Sequence, residues 1–123
     1  EELTRSQTET RALEASLSTQ QSRMLQTEQR LEAARRGIDS TASRSEGIEA
    51  RFASLRNERS RATAPDRRAE LDEAIRSFEG ERDDAARELQ RVREREDELS
   101  RTLQVEEARW NELISRLEDL AGR

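Results

Sequence analysis

In the second half of this chain, apolar residues recur at alternating steps of three and four over seven heptads. With d positions at Leu71, Phe78, Ala85, Val92, Leu99, Glu106, Leu113 and Leu120, the a positions are Ile75, Arg82, Leu89, Glu96, Leu103, Trp110 and Leu117. Twelve of these fifteen are apolar. The first half carries a sparser version of the same repeat. Its a positions run from Leu3 through Leu17, Met24, Leu31, Ile38 and Phe52 to Arg59. Its d positions include Leu13, Ala34, Ile48 and Leu55, and polar Gln20, Thr27 and Thr41 interrupt them. A sustained 3.5-residue repeat is the pattern of helices that bury one narrow stripe against a partner. It decides a question that composition leaves open. Hydrophobic residues are 31% of the 123 and charged residues 41%, too little apolar material to offset the ordering entropy of a compact globule. A disordered chain, however, has no reason to hold a heptad phase, so the sequence specifies a coiled coil.

One proline divides the repeat. In Ala62-Thr63-Ala64-Pro65-Asp66 the ring cannot continue a helix but suits the first turn of one. Thr63 with Asp66 forms an approximate capping box. The predicted fold is therefore all-α, a long antiparallel two-helix coiled-coil hairpin that can dimerise into a four-helix assembly. Arm one covers about residues 2–60, the turn about 61–64 and arm two about 65–121. Residues 1–123 form one helical hairpin, expected to be a segment of a larger protein because the chain opens on Glu1 rather than Met.

Matching the two seams head to tail leaves two registers, one heptad apart. When facing residue numbers add to 123, Met24 meets Leu99, Leu31 meets Val92, Phe52 meets Leu71, Leu13 meets Trp110 and Ile48 meets Ile75. Gly80 then lies opposite Ser43. When they add to 130, fewer layers are wholly apolar and Ile48 faces Arg82 while Met24 faces Glu106. An unpaired buried charge costs several kcal/mol, so the first register is the expected one.

Three places depart from a plain coiled coil. Gly37 to Gly47 encloses four hydroxyl residues and is poor helix material. It reads either as a hinge or as a close approach of small side chains, and the unbroken heptad phase through it favours the second. At the turn, Arg56, Arg59, Arg61, Arg67 and Arg68 outnumber Glu58 and Asp66, and guanidinium groups there suit carboxylate or phosphate partners. Near the end of arm two, Trp110, Leu113, Ile114, Leu117, Leu120 and Ala121 make a stripe wider than one partner helix covers. Trp110 and Ile114 are therefore expected to meet a second surface. Acid-before-base pairs at i,i+4, such as Asp72/Arg76, Asp83/Arg87 and Glu112/Arg116, belong to a solvated helix face.

With no His, Cys or Lys, thiolate, imidazole and lysine Schiff-base chemistry are excluded and no ordinary zinc site can form. No phosphate-binding loop or calcium-loop spacing is present, and the acidic pairs have no cleft to tune them. No catalytic residue, cofactor, metal or small-molecule substrate is expected. A net charge of −5 argues against nucleic acid as the main partner, and no apolar run is long enough to span a membrane. The expected function is a non-catalytic structural or interaction module, a spacer or protein-docking hairpin. Its partners would be other proteins, a second copy of itself or the rest of a parent chain. The alternative is an adaptor-like stalk that transmits signal or force within a membrane-associated or secretion assembly. The compartment is unspecified.

Overall fold

The computed structural model describes residues 2–122 and contains two helices, α1 (Glu2–Arg61) and α2 (Pro65–Ala121). They pack against each other as an antiparallel helical hairpin, the class that the split heptad repeat defines. The turn is residues 62–64. Backbone bonds close it from both sides, Ala62 N–H donating to Glu58 O and Arg68 N–H to Ala64 O, each at 3.0 Å. The first helical acceptor of α2 is thus Ala64, and Thr63 makes no side-chain hydrogen bond, so the expected Thr63–Asp66 capping box is not formed. Pro65 itself occupies the first helical position, where its missing N–H would have had no partner.

Contacts group the chain into two units. One, the terminal unit, joins Glu1–Ala33 with Glu96–Arg123; the other, the turn unit, is Ala34–Arg95. In the terminal unit Leu17, Leu31, Leu99 and Leu113 are buried, together with the polar Gln20 and Thr27. In the turn unit the buried residues are Ile48, Phe52, Leu71 and Ala85, the last wholly inaccessible. Every heptad position of α1 from Ser6 to Arg59 is at least half-buried, as are those of α2 from Leu71 onward, except Arg82. The phase read from the sequence is the phase that packs.

The register is not the one expected. In the terminal unit Thr27 Oγ1 donates to Glu106 Oε1 at 2.6 Å, and Gln20 Nε2 donates to the Glu106 carbonyl at 3.1 Å. In the turn unit Arg59 Nε bonds Asp72 Oδ1 at 2.7 Å, Arg82 Nε bonds Glu49, and Gly37 faces Val92. These partners fit facing numbers that add to about 130, one heptad from the favoured register. Leu17 is thereby level with Leu113 and Leu31 with Leu99, and all four are buried. Trp110 correspondingly lies beside Met24 and Gln21, not Leu13.

The arginine charges on the seam of this register are paired rather than buried alone. Arg82 leaves its a position altogether. Its guanidinium sits 5.1 Å from the centre of the Phe52 ring while bonding Glu49 near the surface, a geometry its long stem allows. Arg59 likewise stays half-buried at the level of Leu71 and carries its charge out to Asp72. Among the described residues Glu106 is the exception: Oε1 is satisfied by Thr27, but Oε2 is buried with no hydrogen-bond partner.

α1 runs without a break through residues 37–47. The close approach expected there holds at Gly37, where a Cβ would lie 3.3 Å from Val92 Cγ1. It fails at Gly47 and Gly80, which face open space. Nor does Gly80 stand opposite Ser43: Arg82 bonds Glu49, which puts Gly80 near the level of Ala50. Alanine lacks the backbone-entropy cost of glycine in a helix, so Gly47→Ala and Gly80→Ala should each raise stability by about 0.5–1 kcal/mol. Gly37→Ala should gain less than either, because Val92 must give way; urea midpoints of the three variants check this ordering. In the same assay Leu113→Ala, at 2% exposure, should cost about 2 kcal/mol or more. Leu3→Ala, at 79% exposure, should stay within about 0.5 kcal/mol of wild type.

Candidate interaction surfaces

The arginines around the turn come from the last turns of α1 and the first turn of α2, and the structure satisfies most of them. Arg59 is held by Asp72. Arg67 reaches Glu58 and Glu70, both at 3.3 Å. Arg56 lies over its neighbour Phe52, 5.7 Å from the ring centre. Arg61 and Arg68 are exposed and make no side-chain bond. Counting Glu58, Asp66, Glu70 and Asp72 against the five arginines leaves a local charge of +1, well short of the +3 suggested when only Glu58 and Asp66 are counted. The tip is less basic than it looks in the sequence, because acids one and two turns into α2 fold onto it.

Asp72 shows the effect. Its carboxyl is held below the ordinary value of 3.8, first by the Arg59 hydrogen bond and then by the positive charge of Arg59, Arg76 and Arg68, with desolvation opposing. The i,i+4 partner expected for Asp72 is displaced: Arg76 instead donates to the Asp72 carbonyl at 3.4 Å. Arg87 similarly turns to Asp84, whereas Glu112 and Arg116 pair as expected at 3.2 Å.

The second surface lies in the terminal unit. Trp110 is half-buried and forms one wall of a groove completed by Gln21, Met24, Leu25 and Glu28. Leu25, immediately beyond the seam, is 55% exposed beside the indole. Ile114, one turn further along α2, is also half-buried, while Ala121 is exposed. The stripe is therefore only partly covered by α1, as its width implied. Leu25 is the residue sequence reasoning missed. Its signal was the Met24-Leu25 doublet, which puts an apolar side chain at a b position where charge is usual. Val105, 70% exposed, is a further uncovered apolar side chain of the same unit.

No helix among the described residues is long and apolar enough to cross a membrane, and no group of three acidic side chains there is arranged to hold a metal ion. The chain matches no family model, no curated protein and no solved structure.

If Arg59 is what holds Asp72 down, Arg59→Ala should return its titration, followed by carboxyl-carbon NMR, toward the usual aspartate range. A carboxyl lowered in the folded state adds stability above its unfolded value and loses that contribution as pH falls through the lowered one. The acid side of the stability profile should therefore flatten in the variant.

Proposed function

We propose that this chain is a non-catalytic coiled-coil interaction module, and that its docking face is the Trp110–Met24–Leu25 flank of the terminal unit. The observation that carries this reading is Leu25, more than half exposed against the half-buried indole. Trp and Met are among the residue types enriched where protein surfaces meet, and Trp among those that carry most of the binding energy there. The occupant that fits is a second copy of the hairpin. A two-fold contact would set each Leu25 and Ile114 against the other's Trp110, burying on both copies the same stripe and giving four helices around a shared core. The turn competes poorly as a docking site, because Arg59 and Arg67 there are engaged by carboxylates, Arg56 lies over Phe52 and Arg68 adds to the field around Asp72. A docking role also needs no reactive group, in keeping with the lack of His, Cys and Lys.

Trp110 is the only tryptophan and there is no tyrosine, so intrinsic fluorescence reports on this groove directly. Sedimentation should show a dimer whose tryptophan emission shifts to shorter wavelength as concentration rises. Leu25→Glu with Ile114→Glu should abolish both changes while leaving helicity intact. A monomer at all concentrations, with invariant emission, would sink self-association and leave the flank to the parent chain or another protein.

A further inference from the structure

We infer that self-association at the Trp110 flank is opposed by a rim of unpaired glutamates and is released when salt screens their charge. The inference rests on the reading of that flank as the docking face and names what controls it. A pair of helices has two sides, and the groove linings assign the residues of the terminal unit to them. The groove of Gln21, Met24, Leu25, Glu28 and Trp110 lies on the side formed by the e and b heptad positions, which Ile114 shares. Grooves containing Thr19, Arg23 and Arg109, and Ala12, Arg116 and Asp119, lie on the opposite side, formed by g and c positions.

The two sides are charged differently. Between residues 11 and 28 of α1 and 104 and 121 of α2, the Trp110 side carries Glu14, Glu28, Glu107 and Glu118, with Arg11 as its one base, a balance of −3. Over the same stretch the opposite side carries Arg23, Arg109 and Arg116 against Glu112 and Asp119, a balance of +1. There Glu112 is compensated twice, by Arg109 and Arg116, each at 3.2 Å. The rim acids are not compensated. All four are exposed, and none has an arginine four residues away on its own helix. Among the described residues none of them makes an ion pair or a side-chain hydrogen bond. Glu28 itself lines the indole groove, and Glu107 stands one turn from Trp110. The side that leaves apolar surface uncovered is thus the side left without arginines to neutralise it.

A two-fold contact sets each rim against an identical rim, so the surplus charges that meet have the same sign. Like charges across an interface oppose association, whereas burial of Trp110, Leu25 and Ile114 favours it. Salt separates the two terms. The range of interaction between exposed charges shrinks from about 10 Å at 0.1 M to about 3 Å at 1 M, while burial of apolar surface does not depend on that range. Added salt therefore removes the opposing term and leaves the favourable one. The dimer tightens as ionic strength rises, the reverse of an interface held by ion pairs, and at low ionic strength the groove stays open.

Sedimentation equilibrium with Trp110 emission tests this. Between about 20 mM and about 500 mM NaCl the dimer dissociation constant should fall at least tenfold. Changing Glu14, Glu28, Glu107 and Glu118 together to Gln should give, at the lower salt, the affinity that the wild type reaches only at the higher, with little further response. The same loss of four charges in the turn unit, at exposed Asp39, Glu46, Glu79 and Asp83, should leave the salt response of the wild type in place. A dimer that is indifferent to salt or weakened by it, or a rim variant with the full wild-type response, overturns the inference and leaves the docking face standing. Absence of a dimer at either salt in both wild type and rim variant overturns both. Should circular dichroism show the rim variant to be unfolded, Glu28→Gln with Glu107→Gln decides: a smaller salt response than wild type upholds the inference and an equal one refutes it.

Discussion

Everything in this structure depends on a row of small contacts repeated at fixed intervals along α2. Leu71, Ala85, Leu99 and Leu113 are its buried apolar residues, and they fall every second heptad. Between them the seam is only half-covered, because one helix cannot enclose another. A chain this poor in apolar residues completes its burial at only a few positions, and the half-covered ones between them mix apolar side chains such as Phe78, Leu89 and Val92 with the stems of arginines. Each buried layer contributes on the order of one or two side chains' worth of transfer energy. Layers that neither match nor pair therefore weigh heavily in the choice of register.

Arginine changes how such a seam is to be scored. A charge at an a position looks prohibitive when the alternative is taken to be full burial. Arg82 and Arg59 avoid that cost by extending along the interface and depositing their guanidinium groups on Glu49 and Asp72. Glutamate has a shorter stem, and among the described residues Glu106 is the one that keeps a buried side-chain oxygen without a hydrogen bond. The polar groups of this seam differ in how far they reach, and reach decides which of them can be tolerated.

The helices, the turn and the heptad phase were legible because each has a local cause: periodicity for the arms, a missing N–H and fixed φ for Pro65. The register was not legible, since it follows from where long side chains go after packing, and a residue-by-residue match of the seams cannot see that. The excess width of the stripe at Trp110 and Ile114 could be read from spacing alone. Leu25 could not, because its exposure depends on which α1 residues the register places beside the indole. The weakness of the tip as a cationic surface was hidden for a similar reason. Glu70 and Asp72 lie outside the run of arginines in sequence but fold against it.

The separation in sequence between bonded partners also orders events during folding. Arg59 and Asp72 are thirteen residues apart, whereas Gln20 and the Glu106 carbonyl are separated by eighty-six. The entropy of closing a loop grows with its length, and nearby pairs meet sooner than remote ones. Assembly is thus favoured to nucleate beside Pro65 and propagate outward, each new layer shortening the loop that the next must close. The tryptophan groove is completed late on that route, so its α1 wall, Met24 and Leu25, stays uncovered until nearly all of α2 has been synthesised and packed.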